Sequence, residues 1–242
     1  MKSETKSLAV IPARGGSKRI PRKNIIDFRG RPLIGWAIEA ALESELFSDV
    51  IVSTDDQEIA QVSLAAGASV PFIRPSELSG DSVATAPVVV HALGEYTKLT
   101  AARPEFLGVI YPAAVFTRPL DLVSAREVLR NERVDIVMSV GRFQAPVQRS
   151  WRKIPGDLIE RVDPTTALTM SQELEERFFD AGQFYLSTPE AWSAIASGEA
   201  VRTAMYEMEP WRVWDIDTPQ DLEMARRLFS IDLAELGQAG TR

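Results

Sequence analysis

The chain has 242 residues, 34 acidic against 27 basic side chains, a formal net charge of −7, 45% hydrophobic residues, no cysteine and one histidine, His91. This excludes disulfides, thiolate metal sites, cysteine nucleophiles and mechanisms that need two histidines, and it argues against a protein that wraps nucleic acid, which carries a basic face or a high pI. No apolar run approaches the roughly 20 residues that span a bilayer, and the opening MKSETKS lacks the apolar core of a secretory signal, so a cytoplasmic protein with no membrane partner is expected.

Residues 8–12 (LAVIP) read as a buried first strand, followed by a basic loop. Pro32 opens an amphipathic helix to about Ser44, with Leu33, Ile34, Ala37, Ala40 and Ala41 on one stripe. Residues 49–53 form a second strand, and Thr54-Asp55-Asp56 caps a helix that runs to Gly67. Residues 70–73 read as a short third strand, 79–85 as a polar loop and 86–99 as a helix. Residues 107–111 and 135–140 are further strands, with a helix between them after Pro119. The rhythm breaks over 141–180, where Pro146, Pro155 and Pro164 interrupt the pattern and Pro155-Gly156-Asp157 marks a hairpin. Such an excursion serves as a lid, a specificity insertion or a dimer arm. Regular structure returns at 183–186 and 203–208, and a last helix runs from Pro219 to about Leu228 before a fraying tail to Arg242. The alternation predicts one α/β domain over 1–242, a three-layer αβα sandwich with a mostly parallel, Rossmann-like sheet.

Functional signal concentrates in residues 11–24, IPARGGSKRIPRKN. Gly15 and Gly16 let the backbone approach an anion and adopt positive φ, so that successive N–H groups face it. Ser17 adds a hydroxyl, and Arg14, Lys18, Arg19, Arg22 and Lys23 add charge. The loop follows the first parallel strand, where open α/β sheets bind ligands, and it matches neither the Walker A nor the Gly-x-Gly-x-x-Gly pattern. A polyphosphate is the ligand it suits. Asp215 and Asp217 point the same way if extended and suit Mg²⁺, although Thr218, Pro219 and Asp221 also make a helix entry there. Asp55 and Asp56 read better as a helix cap than as metal ligands, and His91, within an apolar helical pattern, as structural.

The string 11–24 closely resembles the first signature of the acylneuraminate cytidylyltransferase (CMP-sialic acid synthetase) family. The resemblance extends through IVSTDD (51–56), PFIRPSEL (71–78) with TAP (85–87), SQEL (171–174), DAGQFY (180–185) and DIDT (215–218), and so covers about 8–228. PVQR (146–149) and DAGQFY are most similar to the branch that activates pseudaminic acid. The resemblance implies the nucleotide-diphosphosugar transferase type of fold, pairing of two chains through 141–180, and transfer of CMP from CTP to the anomeric hydroxyl of an acidic nine-carbon 2-keto sugar, with Mg²⁺ and release of pyrophosphate.

By the same resemblance Arg14, Gly15, Gly16, Ser17, Lys18, Lys23 and Asn24 serve the triphosphate, and Arg74 and Thr85 the nucleotide. Asp215 and Asp217 serve the metal; Arg14, Lys23 and Asp217 are the catalytic set; and Arg149, Gln172, Gln183 and Tyr185 serve the sugar. Alternative readings are a sialic or legionaminic acid as acceptor, or a CTP-binding protein without transfer activity. A sugar 1-phosphate enzyme is disfavoured by the spacing of its basic loop. Two positions depart from the branch. The segment after the fourth strand reads YPAAVF (111–116), which lacks a threonine, and Met170 stands where relatives carry arginine.

Overall fold

The computed structural model describes residues 7–239, with side chains through 231. Strand β1 (Ser7–Pro12) is apolar from Leu8 onward because both of its faces are covered. Ala9 and Ile11 enter one hydrophobic layer, and Leu8 and Val10 enter the other. After the basic loop, β2 (Asp27–Phe28) and β3 (Arg31–Pro32) form a small ribbon leading into α1 (Leu33–Glu43). Next come β4 (Asp49–Ser53), α2 (Gln57–Ala65), α3 (Thr85–Thr100), β5 (Phe106–Ile110), α4 (Pro119–Asn131) and β6 (Ile136–Arg142). The remaining elements are β7 (Trp151–Lys153), β8 (Ile159–Arg161), β9 (Phe178–Ser187), α5 (Pro189–Ala196), β10 (Thr203–Glu207) and α6 (Pro219–Ala239). No helix among the described residues is long and apolar enough to cross a membrane.

The central sheet has the order β10-β6-β9-β5-β1-β4. β1 pairs in parallel with β4 and β5, β10 pairs in parallel with β6, and β9 runs antiparallel between β5 and β6. Helices α1, α2 and α4 bury their apolar stripes on one face, and α3 and α5 on the other. This is the α/β, three-layer, mostly parallel arrangement expected. The chain passes from β1 to β4 on one side and then returns to β5 on the other. β1 therefore flanks a topological switch point, and a crevice opens beyond its carboxyl end. A third cluster, around Phe28, Phe116 and Phe229, fastens α6 against the start of the chain.

Four expectations need correction. Residues 70–73 form no strand, only isolated bridges Ile51↔Ser69 and Thr54↔Ile73, because Pro71 and Pro75 remove the ladder donors of a continuous strand. β9 starts at Phe178, inside the stretch read as irregular. Helix α5, absent from the sequence reading, is short and opens with Pro189 at its first turn. Helix α6 continues past Leu228 to Ala239, and the rest of the expected tail lies outside the described residues. The hairpin around Gly156 is present as β7–β8, with Gly156 at φ 85°.

Gly108 sits in β5 where a Cβ would come within 2.6 Å of Phe47 Cε1 and 3.2 Å of Leu186 Cδ2. Gly108→Ala is expected to overpack this layer and lower stability by about 1–3 kcal/mol in urea unfolding, with the slope of the transition unchanged.

Candidate functional site

The crevice at the ends of β1 and β5 is a cleft of about 670 Å³. Arg14, Ser17, Lys18, Arg19, Lys23 and Asn24 line one side, Arg74 and Thr85 another, and Tyr111, Asp180, Tyr185, Asp215 and Asp217 complete it. The loop is built by local constraints. Gly15 N–H donates to Asp55 Oδ1 at 2.9 Å, and a Cβ on Gly15 would lie 2.7 Å from Asp56 Oδ2. Gly15 is thus required by close approach, and neither it nor Gly16 adopts the positive φ expected of them. The left-handed residue of the loop is Arg22, at φ 58°.

The five cations of the loop divide by task. Arg22 turns away from the cleft onto Asp56, with Nη2 to Oδ1 at 2.9 Å, and onto Glu58. This guanidinium holds the Asp56 carboxyl below its usual range, while Asp56 accepts the N–H groups of Glu58 and Ile59 as the cap of α2. Arg14 Nη1 and Lys18 Nζ converge on the two oxygens of Asp81, each at 2.6 Å, so an anion already sits between them. Asn24 is buried and donates to the Arg14 carbonyl at 2.9 Å, fixing the loop from beneath.

Lys23 joins the loop to the far end of the chain. Its Nζ donates to Ile216 O at 2.8 Å and to Asp217 Oδ1 at 3.1 Å, and Arg19 Nη2 takes Asp217 Oδ2 at 2.6 Å. Asp217 and Asp215 stand on a strap whose end is locked by a reciprocal cap, Thr218 N–H to Asp221 Oδ2 at 2.7 Å and Asp221 N–H to Thr218 Oγ1 at 3.2 Å. Protein packed around Asp215, and then the charge of Asp217, push the Asp215 carboxyl up. Asp215 and Asp217, a carboxylate pair on the wall of the cleft, suit Mg²⁺, which takes one or two carboxylates and completes its shell with phosphate oxygens and water. Among the described residues no group of three or more His, Cys, Asp or Glu side chains could hold an ion alone.

The opposite wall is aromatic and hydroxylic. Thr85, at the start of α3, shares a 2.8 Å hydrogen bond with the Tyr111 hydroxyl, and the Tyr111 and Tyr185 rings meet edge to face at 6.0 Å. Burial pushes both phenols up. Met138 faces Tyr185 and Val140 faces Asp180, so residue 139 alone lies opposite residues 181–184 of β9. That bulge, with Gly182 at φ 62°, brings Asp180 and Tyr185 to the cleft, where the Tyr185 hydroxyl donates to Asp180.

Of the residues assigned to the sugar, only Tyr185 lines this cleft. Arg149 is exposed on the excursion and donates to Thr169 O at 2.8 Å, and Gln172 is exposed in a single turn nearby. Gln183 is buried and donates to Ala181 O and Trp214 O at 3.3 and 3.2 Å. His91 packs edge to face on Phe72, in keeping with a structural role. Asp81, Tyr111 and Asp180 line the cleft but are not among the site residues named individually from the sequence. Their signals were an acid in the polar loop, a tyrosine ending a strand and the first residue of DAGQFY.

A family model described as cytidylyltransferase matches residues 8–109. Pseudaminic acid cytidylyltransferase of Campylobacter jejuni is 36% identical over 94% of this chain and 97% of its own length. CMP-N,N'-diacetyllegionaminic acid synthase of Legionella pneumophila is 38% identical over 93% of this chain and 97% of its own. Among solved structures, CMP:2-keto-3-deoxy-manno-octonic acid synthetase complexed with CTP superposes with a TM-score of 0.69 at 18% identity, covering 94% of this chain and 99% of that one.

Asp56→Ala removes a cap and an ion pair, and is expected to cost about 1–2 kcal/mol at neutral pH. Because the folded carboxyl titrates below its unfolded value, this contribution is present above about pH 4 and fades as the pH falls through the folded value. The stability gap between wild type and variant, read by chemical unfolding, should therefore narrow in acid.

Proposed function

The chain belongs to the acylneuraminate cytidylyltransferase family, in the pseudaminic branch, and from that premise we propose that it transfers CMP from CTP to the anomeric hydroxyl of pseudaminic acid or a close relative. The observation that carries this reading is the convergence of Arg14, Lys18, Arg19 and Lys23 with Asp215 and Asp217 on one cleft. Clustered cations suit the triphosphate, and a carboxylate pair beside them suits its metal.

In the proposed reaction the anomeric oxygen forms a bond to the α-phosphorus, the bond from that phosphorus to the bridging oxygen of pyrophosphate breaks, and the hydroxyl proton is lost to solvent or a nearby acceptor. Transfer of this kind depends chiefly on positioning and on neutralising charge. Arg14 and Lys18 hold the β- and γ-phosphates, where charge accumulates on the leaving group. Lys23 sits between the triphosphate and the strap, with Asn24 and the Gly15-Gly16-Ser17 backbone keeping the loop close. Arg74 and Thr85 hold the nucleoside end. Asp215 and Asp217 hold Mg²⁺, which when bound supplies further electrostatic stabilisation of the phosphoryl oxygens. Tyr185 faces the acid sugar, with Gln183 supporting its strand from beneath.

Assembly as a homodimer through the excursion 141–180 belongs to this proposal. Leu158, Ile159, Val162, Leu168 and Met170 are all more than half exposed there, Leu168 at 97%, a density of apolar surface that a second copy would cover. Arg149 and Gln172 lie on the same excursion, away from their own cleft, and in such a pair they would serve the sugar held by the facing chain.

Pyrophosphate release from CTP with a panel of nonulosonic acids tests the activity. Pseudaminic acid or a close relative is expected to give turnover that chelation abolishes and Mg²⁺ restores. Release with none of the acids overturns the proposal, and CTP binding without release would leave a nucleotide-binding protein. Asp217→Ala is expected to lower turnover roughly 100-fold or more with the unfolding transition retained; activity near wild type with Mg²⁺ as the only metal removes Asp217 from the site. Light scattering should give twice the 26.8 kDa chain mass, and Leu168→Glu with Val162→Glu should give the monomer.

A further inference from the structure

Arg74 reaches the nucleotide wall with only 4% of its surface exposed. Burial lowers its pKa, and its Nε and Nη2 have no hydrogen-bond partner. A buried guanidinium with unmet donors is tolerable only beside a countercharge or a ligand acceptor. Asp55 Oδ1 lies 3.6 Å from Arg74 Nη2. That spacing lies beyond hydrogen-bond range, so the carboxylate supplies countercharge to Arg74 without taking a hydrogen bond from Nη2.

The same oxygen, Asp55 Oδ1, accepts Gly15 N–H at 2.9 Å. One carboxylate therefore touches both the loop that carries Arg14 and Lys18 and the arginine on the other wall. It stands on a firm base, since Ser53 and Thr54 before it are wholly buried. Its neighbour Asp56 performs the capping of α2, so Asp55 is not needed for that helix. Asp55 also does not line the cleft. Its position suits a group that acts on the substrate through others.

We propose that Asp55 is a positioning residue that sets Arg74 against the Gly15 loop, so that the nucleoside end and the phosphate end of CTP are gripped in register. The proposal rests on the reading of the cleft as a CTP site. It separates the paired acids after β4: Asp56 serves stability and Asp55 serves nucleotide affinity.

CTP binding by calorimetry without acid sugar, together with KM and kcat from pyrophosphate release, tests it. Asp55→Ala is expected to weaken CTP binding at least tenfold and to raise the KM for CTP in parallel, with the KM for the acid sugar within twofold of wild type. Asp55→Asn keeps an acceptor for Gly15 but loses the charge opposite Arg74, and is expected to fall between. In an Arg74→Ala background, Asp55→Ala should cost no more than a further threefold, because its principal target is gone. CTP affinity within twofold of wild type in Asp55→Ala, equal losses for both substrates, or full multiplication of the two single effects overturns the proposal. If Asp55→Ala does not fold, Asp55→Asn carries the comparison, and wild-type affinity in that variant overturns it. Failure of the wild type to bind CTP strikes instead at the reading of the cleft.

Discussion

An ammonium group held 3.1 Å from a carboxylate 194 residues further along the chain makes this site a single object. Lys23 belongs to the loop that leaves the first strand, and Asp217 belongs to the strap that enters the last helix. At the point of contact Lys23 opens a single 3-10 turn, Lys23–Ile25, and Asp217 lies in irregular chain. Each is fixed from behind, the loop by Asn24 and by Asp55 on Gly15, the strap by the reciprocal cap of Thr218 and Asp221. The third hydrophobic cluster, around Phe28, Phe116 and Phe229, brings the two regions together, so that the ion pair inherits a geometry the core has already set.

Charge balance governs what surrounds this contact. Cations gathered in and around one loop repel one another, and each has an acidic counterpart. Arg14 and Lys18 share Asp81, Arg19 and Lys23 share Asp217, Arg22 takes Asp56 and Glu58, and Arg74 lies near Asp55. The protein is acidic overall, yet its cleft is a place of matched opposite charges. A highly charged ligand exchanges one set of partners for another there, rather than meeting an unscreened positive surface.

Much of this was legible in the sequence, and the limits have physical causes. The buried runs of β1, β4, β5 and β6 and the amphipathic helices between them announce themselves by period, and the basic loop by composition. The direction of β9 carries no periodic signal, since a strand buried on both faces reads alike whether parallel or antiparallel. The bulge that turns Asp180 and Tyr185 into the cleft depends on pairing with β6, which no local pattern records. The tasks of the cations were also hidden: Arg22 and Arg19 look equivalent in the loop, and only the left-handed turn at Arg22 sends one to α2 while the other meets Asp217. Met170, a departure from the pattern the sequence resembles, lies exposed on the excursion, outside the cleft of its own chain.

The central claim is that the loop after β1 and the strap before α6 form one triphosphate site. A crystal structure of the protein with CTP and Mg²⁺ tests it most directly. The account predicts the triphosphate against Arg14, Lys18 and Lys23, the metal at Asp215 and Asp217, and the nucleoside end beside Arg74. A triphosphate bound away from the basic loop, or a metal held without either carboxylate, would contradict it.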